Sequence, residues 1–65
     1  MSHLAANKTK LLARVRRLAG QMAAIEKAIT EDAGCAIILH QVAGVRGYVS
    51  GLIDELIEDL SLIHI

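Results

Sequence analysis

Lys10, Arg14 and Arg17 stand at i, i+4 and i+7, so on a helix they share one face, with Arg16 about 100° round from Arg17. No acid interrupts that run before Glu26. Arginine grips phosphate through two parallel N–H bonds, which makes such a stripe suited to nucleic acid; the plainer reading is a solvated helix face. Tyr48 is the only aromatic residue, and single strands are usually held by aromatic stacking, so contact with a duplex backbone is favoured. Arg46 extends the patch if the chain folds as an antiparallel pair of helices.

Cys35 is the only cysteine, and it stands where a second helix is expected to begin. The dipole of a helix N-terminus favours the thiolate, the form that binds metals and captures electrophiles; a small buried hydrophobe is the alternative. His40 follows Cys35 by five residues, about 140° round a helix, so the two do not converge on one ion within a chain. His3 and His64 are the remaining histidines, and His3 can fold over the start of the second helix. The sequence contains no CxxC, HExxH or glycine-rich phosphate loop, and no carboxylate pair or Ser/His/Asp set, so nothing supports an enzyme.

The elements that must position these residues are legible in the spacing. Leu11, Val15, Leu18, Met22, Ile25 and Ile29 recur at alternating intervals of four and three, the seam of a packed helix from about Asn7, a plausible N-cap, to Ile29. Thr30, Asp32 and Gly34 then form a turn. Ile38, Val42, Val45, Val49, Leu52 and Leu56 repeat the spacing over a second helix, from about residue 33 to 59 and roughly 40 Å long. Ile37, Ile53 and Ile57 add a second apolar row for a neighbouring subunit, and Gly44, Gly47 and Gly51 suit a tight helix crossing.

A chain of 65 residues with a 54% apolar fraction, no Phe or Trp and no possible internal disulfide cannot build a substantial core alone. Other copies of the chain are therefore expected to cover its aliphatic surface. The formal net charge is zero, yet residues 1–27 carry six basic residues against Glu26, a net +5, and residues 28–65 carry Arg46 against six acids, a net −5. A polyanion-binding patch on an acidic scaffold follows. The start MSHLAANKTK has no apolar signal core, and no uninterrupted run approaches the roughly 18 apolar residues of a membrane span, so a cytoplasmic protein without a membrane partner is expected.

LLARVRRLAGQMAAIEKAI and CAIILHQVAGVRGYVSGLIDELIED, covering about residues 7 to 59, resemble the first two helices of the copper-sensing and nickel/cobalt-sensing repressor family, which includes formaldehyde-responsive members. The resemblance implies an all-α protein: an antiparallel helical hairpin, two helices of a normally three-helix protomer, assembling into a helical-bundle dimer or tetramer. It implies binding to double-stranded operator DNA when effector-free and release by a transition metal, nickel or cobalt favoured, copper(I) or zinc possible. Arg14 and Arg17, with Arg16 nearby and Arg46 on the second helix, match the basic residues that the family turns to DNA, and the spacing adds Lys10 to them; Cys35, His3 and His64 match metal ligands. Formaldehyde sensors tend to begin Met-Pro, and Ser2 here favours metal; formaldehyde capture by Cys35 is the alternative signal, and an oligomerisation module without effector a further one. No small-molecule substrate is implied. The family's first histidine after the IED motif falls at Leu60. The segment LSLIHI also reads as the translation of a sequencing-adaptor end, so residues 1–59 are taken as the repressor domain and 60–65 as a non-native tail.

Overall fold

The computed structural model describes residues 7–61. Two helices account for nearly all of them: α1 over Lys8–Thr30 and α2 over Cys35–Ser61, with no strand among the described residues. They pack antiparallel as a ribbon of 48 × 18 × 9 Å. Its radius of gyration, 15.2 Å, exceeds the roughly 11 Å of a globular chain of this length. No described side chain is fully buried, and the apolar core consists of Ile25, Ala28 and Leu52.

The turn is built by backbone hydrogen bonds rather than by a glycine. Asp32 adopts a left-handed φ of 57°, while the Ala33 N–H donates to the Ala28 carbonyl at 2.8 Å and the Asp32 N–H to Ile29 at 3.1 Å. That pattern is a Schellman closure of α1, with aspartate in the position glycine commonly fills. Gly34 has no positive φ; its carbonyl accepts from the N–H groups of Ile37 and Ile38, so it caps α2 and leaves Cys35 as the first helical residue. Asn7 stands at the N-cap of α1 but makes no side-chain cap bond. Its Nδ2 donates instead to Asp59 Oδ2 at 3.4 Å, tying the start of α1 to the far end of α2.

The seam differs from the one the spacing predicts. On α1 the residues turned toward α2 are Leu11, Arg14, Leu18, Gln21, Ile25 and Ala28, whereas Val15, Met22 and Ile29 are 48%, 53% and 57% exposed. The contact line is rotated toward the basic side because Arg14 and Gln21 supply contacts that an apolar count ignores. Val42 of the predicted α2 seam is exposed for the same reason, its place taken by Gln41, Tyr48 and Glu55. Ile37, Ile53 and Ile57 are all exposed, but Ile37 lies about 160° from Ile53, so the three do not form one row. The predicted glycine crossing is absent within the hairpin: a Cβ at Gly44 or Gly47 would meet nothing within 4 Å, and one at Gly51 would make ordinary contact with Arg14 at 3.7 Å.

α2 continues to Ser61 with no backbone break where the composition changes after Asp59. Its stretch Cys35–Asp59, with mean hydropathy 1.3, is long and apolar enough to cross a membrane by length and composition. No uninterrupted apolar run of that length lies within it, since His40, Gln41, Arg46 and Ser50 divide the stretch. Core helices of soluble proteins meet the same criterion.

Candidate nucleic-acid interface and effector cysteine

Antiparallel packing about the Glu31–Gly34 turn sets Lys10 and Arg14 opposite Glu55. Arg14 Nη1 lies 2.8 Å and Lys10 Nζ 3.6 Å from the Glu55 carboxylate. The Arg14 side chain is 30% exposed and that of Glu55 17%, while Lys10 remains 67% exposed. About two turns back along α2, the Tyr48 ring lies under two cations: the Arg14 and Arg17 guanidinium carbons stand 5.1 and 5.5 Å from its centroid. Cations at these distances are attracted by the negative face of the ring. The Tyr48 hydroxyl donates to the Arg14 carbonyl at 3.1 Å, so the ring that orients the arginines is itself anchored to α1.

The predicted stripe thus divides. Lys10, Arg14 and Arg17 come together on one face of the ribbon, with Tyr48 and Glu55 between and beside them. Arg16 is exposed about 100° round from Arg17. Arg46 is also exposed, but it precedes Glu55 by nine residues, two and a half turns, and therefore points away from it. Antiparallel packing does not bring Arg46 into the patch of its own chain.

Leu39, Val42, Ile53 and Ile57 share that outward side of α2, and Val15, Met22 and Ile29 flank the α1 seam on the side away from Arg17. The ribbon is therefore cationic on one face and aliphatic on the other. Farther along the cationic face, Gln21, Ala24, His40, Gln41, Gly44 and Val45 line an open recess of about 270 Å³.

Cys35 is a free, exposed thiol at the turn end of the hairpin. The Arg14 level lies some 16 residues of α1 away, about 24 Å along the axis. Among the described residues no three His, Cys, Asp or Glu side chains come together in a set able to hold a metal. His40 stands about 140° round α2 from Cys35, and His3 and His64 lie outside the described residues, as does any side-chain role of Leu60. One thiolate is too few donors for a transition-metal site, which takes several protein ligands, so the described part of a single chain does not complete a metal centre.

Two residues at the heart of the cationic face, Tyr48 and Glu55, were not among the sequence candidates. The signal was available: reflecting the chain about its turn places Glu55 against Lys10 and Tyr48 against Arg14 and Arg17. Neither pairing shows in one helix alone, because it depends on the register between the two.

The family description "metal-sensitive transcriptional repressor" matches residues 7–64. This chain belongs to that family. It is 47% identical over 58 residues to a Serratia marcescens protein described as an uncharacterized protein in the bioA 5' region, covering 89% of this chain and 64% of that protein. It is 42% identical over 65 residues to the transcriptional repressor RcnR of Escherichia coli K12 and of Citrobacter koseri, covering all of this chain and 72% of those proteins. The chain thus spans about two thirds of the length of these relatives. No solved structure matches it. The family is one of repressors rather than enzymes, and the all-α hairpin agrees with the architecture its sequence predicts.

Proposed function

We propose that this chain is the DNA-binding and effector-sensing part of a cytoplasmic, homo-oligomeric repressor that holds double-stranded operator DNA through Lys10, Arg14 and Arg17 and releases it when an effector engages Cys35. The observation that carries the reading is the convergence of those three cations on one face, ordered by Tyr48, with the exposed thiol at the opposite end. Arg16 supplements the contact from its neighbouring position. Arg46 contributes from the opposite face, meeting DNA only where assembly turns that face of another copy toward it. Because cations and thiol stand about 24 Å apart, the effector acts through the packing of the helices and their copies, and linkage requires DNA to weaken effector binding by the factor that effector weakens DNA binding.

The effector is a transition metal, nickel or cobalt before copper(I) or zinc, with Cys35 as one ligand and the others drawn from His3 or from another copy of the chain. Thiolate and imidazole suit those metals and not magnesium or calcium. Leucine at position 60, where the family resemblance expects histidine, weakens that site. A second reading is favoured by Cys35 standing alone and exposed: addition of its thiolate to formaldehyde needs no further protein ligand.

Fluorescence anisotropy of labelled operator-length duplex, titrated across salt, tests both parts. Arg14→Ala and Arg17→Ala are expected to weaken binding at every salt concentration and each to flatten the slope of log K against log salt by about 1. Titration of the wild-type complex with nickel, cobalt, copper(I), zinc and formaldehyde separately identifies the signal. DNA binding that is absent, or indifferent to both arginines, would leave an oligomerisation module.

A further inference from the structure

Glu55 is poorly placed for a residue whose only task is to stabilise the hairpin. It sits 83% covered on the side-chain scale, beside two cations of the candidate DNA face, yet its Oε1 is buried and makes no directed hydrogen bond among the described residues. The 2.8 Å approach of Arg14 Nη1 is a close ion contact at an unfavourable angle. Arg14 Nε is likewise buried and unbonded, so the guanidinium retains donors it has not used. Lys10, mostly exposed, reaches the same carboxylate loosely at 3.6 Å. An acid placed for stability alone would be expected to meet the arginine fork with both oxygens.

We propose that Glu55 is an intramolecular competitor of DNA phosphate: its carboxylate occupies Lys10 and Arg14 in the free protein and must be displaced when a phosphate takes them. The inference rests on the reading that these two cations meet DNA. Carboxylate and phosphate offer the guanidinium the same kind of paired oxygen acceptors, so Arg14 can serve one fully only by leaving the other. Tyr48 makes the exchange inexpensive. It holds Arg14 and Arg17 by their charge and is indifferent to which anion they face, so the guanidinium can swing between carboxylate and phosphate while remaining over the ring. The consequence is a lowered affinity for any duplex, which reduces occupancy of non-specific sites and leaves the operator complex within reach of the effector.

The test is Glu55→Gln in the full chain, read by duplex anisotropy across salt beside wild type. Glutamine keeps the shape and removes the charge. Binding is expected to tighten about three- to tenfold near 0.1 M salt, with the salt dependence steeper by up to about 1, and the gain to shrink in an Arg14→Ala background. Equal or weaker binding by a variant whose circular dichroism and assembly size match wild type overturns the proposal and makes Glu55 a holder of Arg14 instead. Where Glu55→Gln loses helix, Glu55→Asp withdraws the carboxylate by one methylene and is expected to show a smaller gain; no gain there overturns it equally. If Arg14→Ala and Arg17→Ala leave wild-type DNA binding unchanged, the DNA reading itself has failed, and the inference with it, a result distinct from a failed gain at Glu55.

Discussion

Tyr48 illustrates how one side chain can serve two roles at once. Its ring carries two arginines and its hydroxyl closes a bond to the α1 backbone. Tyr48→Phe removes only the bond and is expected to cost about 1 kcal/mol of stability in urea unfolding, with DNA affinity nearly retained. Tyr48→Leu removes the ring face as well, and DNA affinity is expected to fall several-fold beyond any loss of stability, because Arg14 and Arg17 then lose their common orienting surface. Cys35 behaves oppositely, being exposed and remote from the cations, so Cys35→Ala is expected to leave effector-free DNA binding within about twofold of wild type and to abolish the response to every effector. The cation stripe was readable from i, i+4, i+7 spacing. Its acidic and aromatic complement was not, because complementarity between helices depends on a register that no single helix displays.

At the scale of the elements, both helices were legible to within a residue or two, since a four-three rhythm of aliphatics is a strong periodic signal. Which side of that rhythm faces the partner was less so. Arg14, Gln21, Gln41 and Glu55 lie in or beside the seam, and polar residues there shift the contact line away from the centre of the apolar face. The turn was legible as Thr30, Asp32 and Gly34, but not which of them bends the chain: Asp32 holds the left-handed conformation. Glycine adopts that conformation without steric cost, so Asp32→Gly is expected to stabilise the hairpin by about 0.5–1 kcal/mol, seen as a raised midpoint in thermal or urea unfolding. A fall in stability would show that the aspartate side chain contributes more than its backbone strain costs.

For the whole molecule, the thin ribbon leaves one broad face aliphatic, with Val15, Met22, Val42, Ile53 and Ile57 all exposed. A folded chain with so little core has marginal stability alone. The proposed remedy is assembly through that face, which keeps Lys10, Arg14 and Arg17 outward. Val42→Glu introduces a charge into the middle of it and is expected to lower the assembly size in sedimentation velocity and to reduce helix content on dilution, whereas the same change at exposed Ala24, on the other side, should do neither. The sequence foretold the need for copies from composition, while the choice of face required the register.

That register has a consequence for how the chain tolerates changes of length. Lys10 with Glu55, Arg14 with Tyr48 and Asn7 with Asp59 are near mirror images across one turn. An extra residue inserted after Ile25 would rotate everything upstream of it by 100° and carry Lys10, Arg14 and Arg17 off Glu55 and Tyr48 together. The same insertion after Asn7 would disturb a single side-chain hydrogen bond, the one to Asp59. Tolerance to insertion therefore grows with distance from the bend, and the two arms behave as a folded ruler whose graduations agree only while the crease stays where it is.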